Sequence, residues 1–297
     1  MSARANGPHR EQQPDALAWD VEIRPATAWW RIDAKEFWNY RDLLMLLVRR
    51  DITAQYKQTV LGPLWLVMQP LLTTLVYTVM FGMLARWSPP GMPALLFFLS
   101  GILPWTYFST VVNRTSRTFI SNANVLTKVY FPRLIMPVST TLSALISFAV
   151  QLLLLVAVLL WYVLFRDFHW QPSTSLFVLP LLVLIMSLLG LGAGILVSAM
   201  TTRYRDLGFL VSYGVQLLMF MSPVIFPLSL VSAKAPALLP IIEANPLSPV
   251  IEGFRAACFG GAIDLGGLLY ASCFTLVLLA VGLAVFQKVE RSFADVI

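Results

Sequence analysis

Two apolar stretches of the chain each carry a stripe of aromatic and amide side chains. In the later stretch the members recur at i, i+4, i+7 and i+11, which places them within about 60° of one another on a helix. In the earlier stretch the spacing is i, i+4, i+8 and i+12, an arc of about 120°. The stripes consist of Trp65, Gln69, Thr73 and Tyr77 in the earlier stretch and of Phe209, Tyr213, Gln216 and Phe220 in the later one.

This combination of side chains suits a carbohydrate. Aromatic rings pack against the C–H faces of sugar rings, and amide groups exchange hydrogen bonds with sugar hydroxyl groups. The same residues also have a structural interpretation, in which the rings fill contacts between helices and each glutamine bonds a neighbouring helix. The sequence leaves both interpretations open.

No pattern in the sequence is typical of an enzyme or a metal site. There is no serine elbow, no pair of histidines and no carboxylate pair within an apolar stretch. No lysine follows a glycine, so the Gly-Lys-Ser/Thr loop that binds nucleotide phosphates is absent. Cys258 and Cys273 match no metal spacing, and Glu252 and Arg255 favour an ordinary surface ion pair. We therefore expect no catalytic residue, metal or cofactor in this chain, and an energy source located elsewhere.

Six apolar stretches define the architecture. Each is about long enough to cross a bilayer, because a hydrocarbon core of about 30 Å needs about 20 helical residues. An apolar content of 58% and a mean hydropathy of +0.75 agree with this interpretation. The stretches are 64–85, 94–113, 135–165, 174–200, 207–228 and 265–287. The sequence thus predicts an all-α integral membrane protein with six transmembrane helices.

The Lys and Arg residues are concentrated in the segments on one side of the membrane. With the N-terminus inside, all but four of the 21 Lys and Arg residues fall in inner segments. The four outer ones are Arg86, Arg166, Lys234 and Arg255. This bias places both termini in the cytoplasm, and it explains the net charge of +6 without nucleic acid. We expect residues 1–35 to form a cytosolic tail and 36–297 the transmembrane domain.

Three further segments are short or amphipathic. Residues 36–58 place apolar and charged side chains on opposite sides of a helix, which predicts an amphipathic helix at the inner interface. Residues 118–133 favour a short helix offered to another protein, with an interfacial loop as the alternative. In the outer segment, prolines surround apolar pieces too short to span, which predicts re-entrant helices over about 235–260.

Several motifs together carry a family resemblance. They are RRDITAQYKQTVLGPLW at 49–65, LPW at 103–105, NANVLTKVYFPRLIMP at 122–137, RYRDL at 203–207 and NPLSPVIEGFR at 245–255. In this order they resemble the membrane component of ABC-2 type exporters that move O-antigen and related polysaccharides. The resemblance extends from about residue 36 to the end of the chain.

The resemblance implies a homodimer in the bacterial inner membrane, paired with two copies of a separate ABC ATPase that binds ATP and Mg. It also implies that an undecaprenyl-linked glycan leaves through the dimer interface. By the same resemblance, residues from about 121 to 131 form a coupling helix that contacts the ATPase through Asn122, Asn124, Lys128, Tyr130 and Phe131. Residues 36–58 correspond to a gate helix at the cytosolic lipid entrance.

Arg49 and Arg50 lie near the inner headgroups in this arrangement. Guanidinium groups suit phosphate oxygens, so we expect these two residues to meet the lipid diphosphate. Contact with anionic lipid or with the ATPase is the alternative. For the whole chain, the alternatives are a permease of the same superfamily for teichoic acid, a drug or a lipid, and a membrane scaffold for glycan synthesis that transports nothing.

Overall fold

The structure is a computed structural model that describes residues 34–122, 131–201 and 206–292. Within these ranges the chain is helical and contains no strand. The helices are α1 (Ala34–Asn39), α2 (Arg41–Tyr56), α3 (Trp65–Tyr77), α4 (Ala94–Ser116), α5 (Thr118–Ser121), α6 (Ile135–Phe165), α7 (Leu179–Thr201), α8 (Leu207–Phe220), α9 (Leu228–Lys234), α10 (Leu239–Glu243), α11 (Leu247–Phe259) and α12 (Leu265–Ser292). Short turns extend two of them: α3 has a 3₁₀ turn at Gly62–Leu64 before it and a π-helical turn at Thr78–Leu84 after it, and α7 has a 3₁₀ turn at Thr174–Val178 before it.

Five helical segments in the described ranges are long and apolar enough to cross a membrane. They are Gly62–Leu84, Ala94–Ser116, Ile135–Phe165, Thr174–Thr201 and Leu265–Lys288. Each coincides with a predicted stretch to within three residues. The remaining stretch corresponds to α8, which is apolar but has 14 residues. The protein is therefore a multi-helix membrane protein, and a sixth complete span stays a prediction.

The predicted span over 207–228 is wrong at its C-terminal end. α8 ends at Phe220, and the chain is irregular until α9 begins. Pro223 cannot donate a backbone hydrogen bond, and it disfavours the helical conformation in Ser222 before it. Because Ser222, Val224 and Ile225 are buried, the carbonyl groups of this turn need partners inside the protein.

Arg255 of α11 supplies those partners. Its Nη1 donates to the carbonyl oxygen of Pro223 at 2.5 Å, and its Nη2 donates to that of Val224 at 2.7 Å. Glu252 Oε1 lies 2.9 Å from Arg255 Nη1 and balances its charge. The guanidinium carbon lies 4.1 Å from the centroid of the Phe97 ring. The expected ion pair is confirmed, but its expected surface position is wrong, since Arg255 is 6% exposed.

Two further residues contribute to this contact between α11 and the turn at 221–227, which we call the junction. The Asn245 side chain donates to the Ser222 hydroxyl at 2.8 Å and to the Met221 carbonyl oxygen at 3.2 Å. Gly101 of α4 faces the junction from the other side, where a Cβ would lie 2.5 Å from both Arg255 Nη2 and the Val224 carbonyl oxygen. The junction therefore joins α4, the turn after α8 and α11 in one hydrogen-bonded contact.

α4 is the most buried of the long helices and lies at the centre of the fold. One side packs in a core cluster with α6, α7 and α11, which includes Leu99, Leu103, Tyr107, Phe148 and Phe254. The other side packs in a second cluster towards α3, α8 and the turn after α8, which includes Phe98, Ile102, Phe108, Val215 and Val224. A helix that is apolar all round is expected in such a position.

Glycines bring α7 close to both of its neighbours. A Cβ at Gly194 would lie 2.5 Å from Cβ of Thr115 on α4, and a Cβ at Gly192 would lie 3.0 Å from the backbone of Leu279 on α12. A Cβ at Gly282 would lie 2.7 Å from the carbonyl oxygen of Gly192. Small residues allow this approach where no hydrophobic effect drives helices together.

The region of the predicted interfacial helix 36–58 forms α1 and α2. Leu47 and Val48 are buried, and Leu47 shares a cluster with Phe131, Ile135 and Met136 at the start of α6. The apolar side of α2 thus packs against protein. Its position at the membrane interface stays a prediction.

The region of the predicted re-entrant helices, about 235–260, contains α10 and α11. Both are too short to span a bilayer. α11 is largely buried against α4, α7 and α12. The depth of these helices in the membrane stays a prediction.

We expect Gly282→Ala to lower the free energy of unfolding by about 1–3 kcal/mol, because a methyl group meets the backbone of α7. The melting temperature of the purified chain in detergent measures this effect. Gly214→Ala on α8 is the matched control, since no atom of the described residues lies within 4 Å of the added Cβ. The same melting temperature for both variants would contradict the close approach of α7 and α12.

We expect Arg255→Met to lower the free energy of unfolding by about 2–6 kcal/mol, because two buried carbonyl oxygens lose their donor at about 1–3 kcal/mol each. The change leaves Glu252 and the two carbonyl groups without their donor. Thermal unfolding, together with limited proteolysis of the turn at 221–227, measures it. Lys234→Met, at an exposed cation, is the control, and an Arg255→Met variant as stable as that control would show that the junction contributes nothing.

Candidate functional site

The stripe on α8 faces outward from the subunit. Phe209, Tyr213 and Phe220 are 67%, 68% and 58% exposed, and Gln216 is exposed as well. The opposite side of α8 buries Gly208 and Val215. The stripe therefore presents three rings and one amide group on a surface that is not filled by helices of the same subunit.

The stripe on the first span is divided between two surroundings. Trp65 and Gln69 are exposed and line a cleft of about 130 Å³ together with Tyr107 and Gln151. Thr73 is partly buried, and its hydroxyl donates to the Gln69 carbonyl oxygen at 3.0 Å. This stripe therefore does not form one continuous surface.

Tyr77 packs between α4 and α8. Its ring meets those of Phe81 and Phe98 edge-on at centroid distances of 5.6 Å and 6.5 Å. Its hydroxyl lies 4.0 Å from the sulfur of Met219. Tyr77 fits the structural interpretation best, and it joins the first span to α8 on the same side of α4.

A cavity of about 780 Å³ opens at the ends of α2, α4 and α8 that are predicted to be cytosolic. Its polar lining comes from Asp51 and Gln55 of α2, Asn113, Arg114 and Arg117 at the end of α4, Thr118, Ser121 and Asn122 after it, Thr140 of α6 and Ser212 of α8. We call it the inner cavity. Arg114 also lines the cleft that contains Trp65 and Gln69, so the cavity and the cleft adjoin.

Arg117 connects the inner cavity to the α8 stripe. Its Nη2 donates to the Ser212 hydroxyl at 3.0 Å and to the Gly208 carbonyl oxygen at 3.4 Å. Its guanidinium carbon lies 5.8 Å from the centroid of the Phe209 ring. The first ring of the stripe therefore lies beside a cation.

Sequence reasoning missed Arg114 and Arg117 as site residues. Both belong to the inner segments that are rich in Lys and Arg, and the positive-inside rule explains such residues without a specific role. The available signal was their spacing, since residues three apart share one side of a helix at the membrane boundary. What the spacing does not reveal is the cavity beside them, because α2 and α8 are distant in sequence.

Arg49 and Arg50, the expected diphosphate ligands, occupy different surroundings. Arg49 is exposed. Arg50 pairs with Asp51 at 2.8 Å and donates to the Asn122 side chain at 3.1 Å. Arg50 therefore already has an anionic partner, and it ties α2 to the segment predicted to couple to the ATPase.

The predicted coupling helix is described only at its ends. Asn124, Lys128 and Tyr130 lie outside the described residues. Asn122 donates to the Thr118 carbonyl oxygen at 2.9 Å and accepts from Arg50. Phe131 is buried beside Leu47, so it favours internal packing over direct contact with another chain.

A second cavity, of about 880 Å³, lies at the opposite end of the subunit. Its lining includes the carboxylates of Glu243, Glu252 and Asp264 and the guanidinium of Arg255, together with Pro227, Tyr270 and the glycines that follow α11. We call it the outer cavity. Its carboxylates outnumber its single arginine, whereas arginines dominate the charge of the inner cavity.

Two further observations concern the titratable groups of the described residues. No group of three or more His, Cys, Asp or Glu side chains among them could hold a metal ion. Burial raises the pKa of the Cys258 thiol to about 12, so this cysteine stays protonated and unreactive. Burial likewise raises the pKa of the Tyr56 phenol in α2, which keeps that hydroxyl neutral.

Comparison with known proteins agrees with the motifs. An O-antigen export system permease protein RfbA from Klebsiella pneumoniae is 29% identical over 86% of this chain and 95% of its own length. The protein of the same name from Myxococcus xanthus is 29% identical over 88% of this chain and 97% of its own. The polysialic acid transport protein KpsM of Escherichia coli is 26% identical over 83% of this chain and 93% of its own length.

The family model described as ABC-2 type transporter matches residues 42–259, which is well over half of the chain. The match covers every motif quoted above and extends from α2 to the end of α11. This finding confirms the resemblance: the chain belongs to the ABC-2 type transporter family and is a multi-pass membrane permease.

Proposed function

We propose that this chain is the permease subunit of an ATP-driven exporter that moves an undecaprenyl-linked polysaccharide, such as an O-antigen, from cytoplasm to periplasm. Relatives named for O-antigen export and polysialic acid transport support the substrate class. The observation that carries the proposal is the outward-facing stripe on α8. Its rings and amide match the two faces of a sugar chain.

The stripe favours a homodimer over contact with lipid. A glutamine amide is costly to place against lipid chains, which offer it no hydrogen bond. α3 and α8 lie on one side of α4, and α3 is the least buried of the long helical segments. Two subunits that face each other across these helices would enclose a path between their stripes, and the glycan would move along it.

The energy comes from a partner chain. The ABC-2 family implies an ABC ATPase, and we propose two copies that bind ATP and Mg. Nucleotide-driven closure would move the 121–131 segment. The hydrogen bond from Arg50 to Asn122 would carry this motion to α2 and hence to the wall of the inner cavity.

The orientation follows the charge. Both termini are cytoplasmic, and the membrane is the bacterial inner membrane. An anionic lipid headgroup is then attracted to the arginines of the inner cavity and repelled by the carboxylates of the outer one. This asymmetry favours loading at the cytoplasmic end and release at the periplasmic end.

We expect Tyr213→Ala combined with Phe220→Ala to reduce polysaccharide at the cell surface by about tenfold. Two lost ring contacts of about 0.5–1.5 kcal/mol each amount to such a factor. Surface polysaccharide per cell, measured at matched amounts of protein in the membrane, is the readout.

Leu210→Ala combined with Leu217→Ala is the matched control for that experiment. Both leucines are exposed on α8 beside the stripe, so the control removes similar area without removing a ring. Unchanged export by the Tyr213 and Phe220 variant, or an equal loss in the control, would overturn the role of the stripe.

We expect Lys128→Glu combined with Tyr130→Ala to abolish co-purification with the ABC ATPase, because both changes fall in the proposed coupling helix. Lys57→Glu, at an exposed cation just after α2, should leave it intact. Undiminished co-purification of the first variant would assign the contact to another segment. A permease that needs no ATPase for surface polysaccharide would instead be a scaffold for glycan synthesis.

A further inference from the structure

We propose that the inner cavity binds the diphosphate of a polyprenyl-linked cargo, and that Arg114 and Arg117 hold its two phosphates. The inference rests on the proposed function and replaces the assignment of this role to Arg49 and Arg50. It gives the cargo a defined starting position at the base of both stripes.

The Arg114 guanidinium has donors that the described residues do not use. Its side chain is partly buried, and it has neither a hydrogen bond nor an ion pair with any residue in the described ranges. A guanidinium carries five N–H donors and no acceptor. None of its nitrogen atoms is fully buried, so an anion in the cavity can reach this fork of donors.

Arg117 is positioned but not saturated. Its hydrogen bonds to the described residues both come from Nη2, so within that part of the chain Nη1 and Nε have no acceptor. Contact with α8 fixes the direction of the side chain, and a positioned guanidinium loses less entropy on binding phosphate than a mobile one. Arg114 and Arg117 are one helical turn apart, so both reach the same cavity.

The charge of the cavity matches that of a diphosphate diester. Asp51 is the carboxylate in the lining, and Arg50 pairs with it at 2.8 Å. Among the described lining residues two positive charges therefore remain, one for each phosphate. Bonds between guanidinium groups and phosphate oxygens are charge-assisted and roughly twice as strong as neutral ones.

An amide oxygen beside the arginines is also left without a partner among the described residues. Asn113 Oδ1 is buried and makes no hydrogen bond to them, whereas the Tyr56 phenol lies beside Ser147 of α6. Asn113 lines the inner cavity, and Tyr56 lines the adjoining cleft with Gln69 and Trp65. A sugar attached to the diphosphate would bring a hydroxyl group that can donate to Asn113 Oδ1. The cargo would thus lie with its phosphates at Arg114 and Arg117 and its first sugar towards Gln69.

The test measures binding of undecaprenyl diphosphate to the full-length chain in nanodiscs of phosphatidylcholine. We expect Arg114→Gln combined with Arg117→Gln to weaken binding by at least about tenfold, because two charge-assisted contacts are lost. Arg49→Gln combined with Lys57→Gln removes the same charge from exposed positions outside the cavity and should change binding by less than about twofold. Arg114→Lys combined with Arg117→Lys should lie between, because lysine keeps the charge but not the fork of donors.

Competitors identify the source of the phosphate. Phosphatidylglycerol and inorganic pyrophosphate should displace the probe poorly. Displacement by phosphatidylglycerol at equal concentration would overturn the assignment in favour of a general site for anionic lipid. Equal displacement by pyrophosphate would overturn it in favour of a free anion. Equal binding by the arginine-to-glutamine variant and its control would overturn the site itself.

Export in cells separates this inference from the proposed function. If deletion of the chain leaves surface polysaccharide unchanged, the proposed function fails. If the native chain restores surface polysaccharide and the Arg114→Gln, Arg117→Gln variant restores it fully, the function stands and the diphosphate site fails.

Discussion

The fold depends on one constraint, that every backbone polar group away from water must find its partner inside the protein. The constraint is most severe at the turn after α8, which contains Pro223 and lies within an apolar stretch. Arg255 and Asn245 satisfy this turn from a helix and a loop further along the chain. A glycine at 101 leaves room for the guanidinium against α4. Because the turn is satisfied in this way, α8 can stop short and the chain can return over the outer end of the bundle.

The position of α4 connects this constraint to transport. One side of α4 is packed against α6, α7 and α11, while α3 and α8 on the other side leave much of their surface free. The free surface of α8 carries rings and an amide. Its inner end meets arginines, and its outer end leads to the junction that borders a cavity with several carboxylates. The α8 stripe, with the inner cavity at one end and the outer cavity at the other, thus lies along one side of α4.

Length and hydropathy predicted most of the helices. The stretch at 135–165 coincides with α6, and the stretch at 94–113 falls three residues short of the end of α4. The polar residues 114–116 lie beyond the apolar stretch, yet the helix continues to Ser116, and the Thr118 hydroxyl donates to the Arg114 carbonyl oxygen at its end. Hydropathy also missed the end of α8, since Met221–Phe226 is as apolar as the helix before it.

The residues of the candidate site were harder to predict than the helices. The α8 stripe was visible because four residues of one helix share a side. Arg255 looked like a surface residue because its partners, Pro223 and Val224, contribute carbonyl oxygens that no side-chain pattern marks. Arg114 and Arg117 looked like topology signals because their cavity is built from α2 and α8, which spacing within one helix cannot reveal. Relationships between distant segments were the part that the sequence did not carry.

The central claim is that this permease is a conduit driven by a separate ATPase, and reconstitution tests it most directly. The measurement is transfer of undecaprenyl-linked glycan into the lumen of proteoliposomes that contain the chain, with or without its ATPase. The account predicts transfer that requires both proteins and hydrolysable ATP. Transfer or ATP hydrolysis by the chain alone, or no ATP-dependent transfer when both are present, would contradict it.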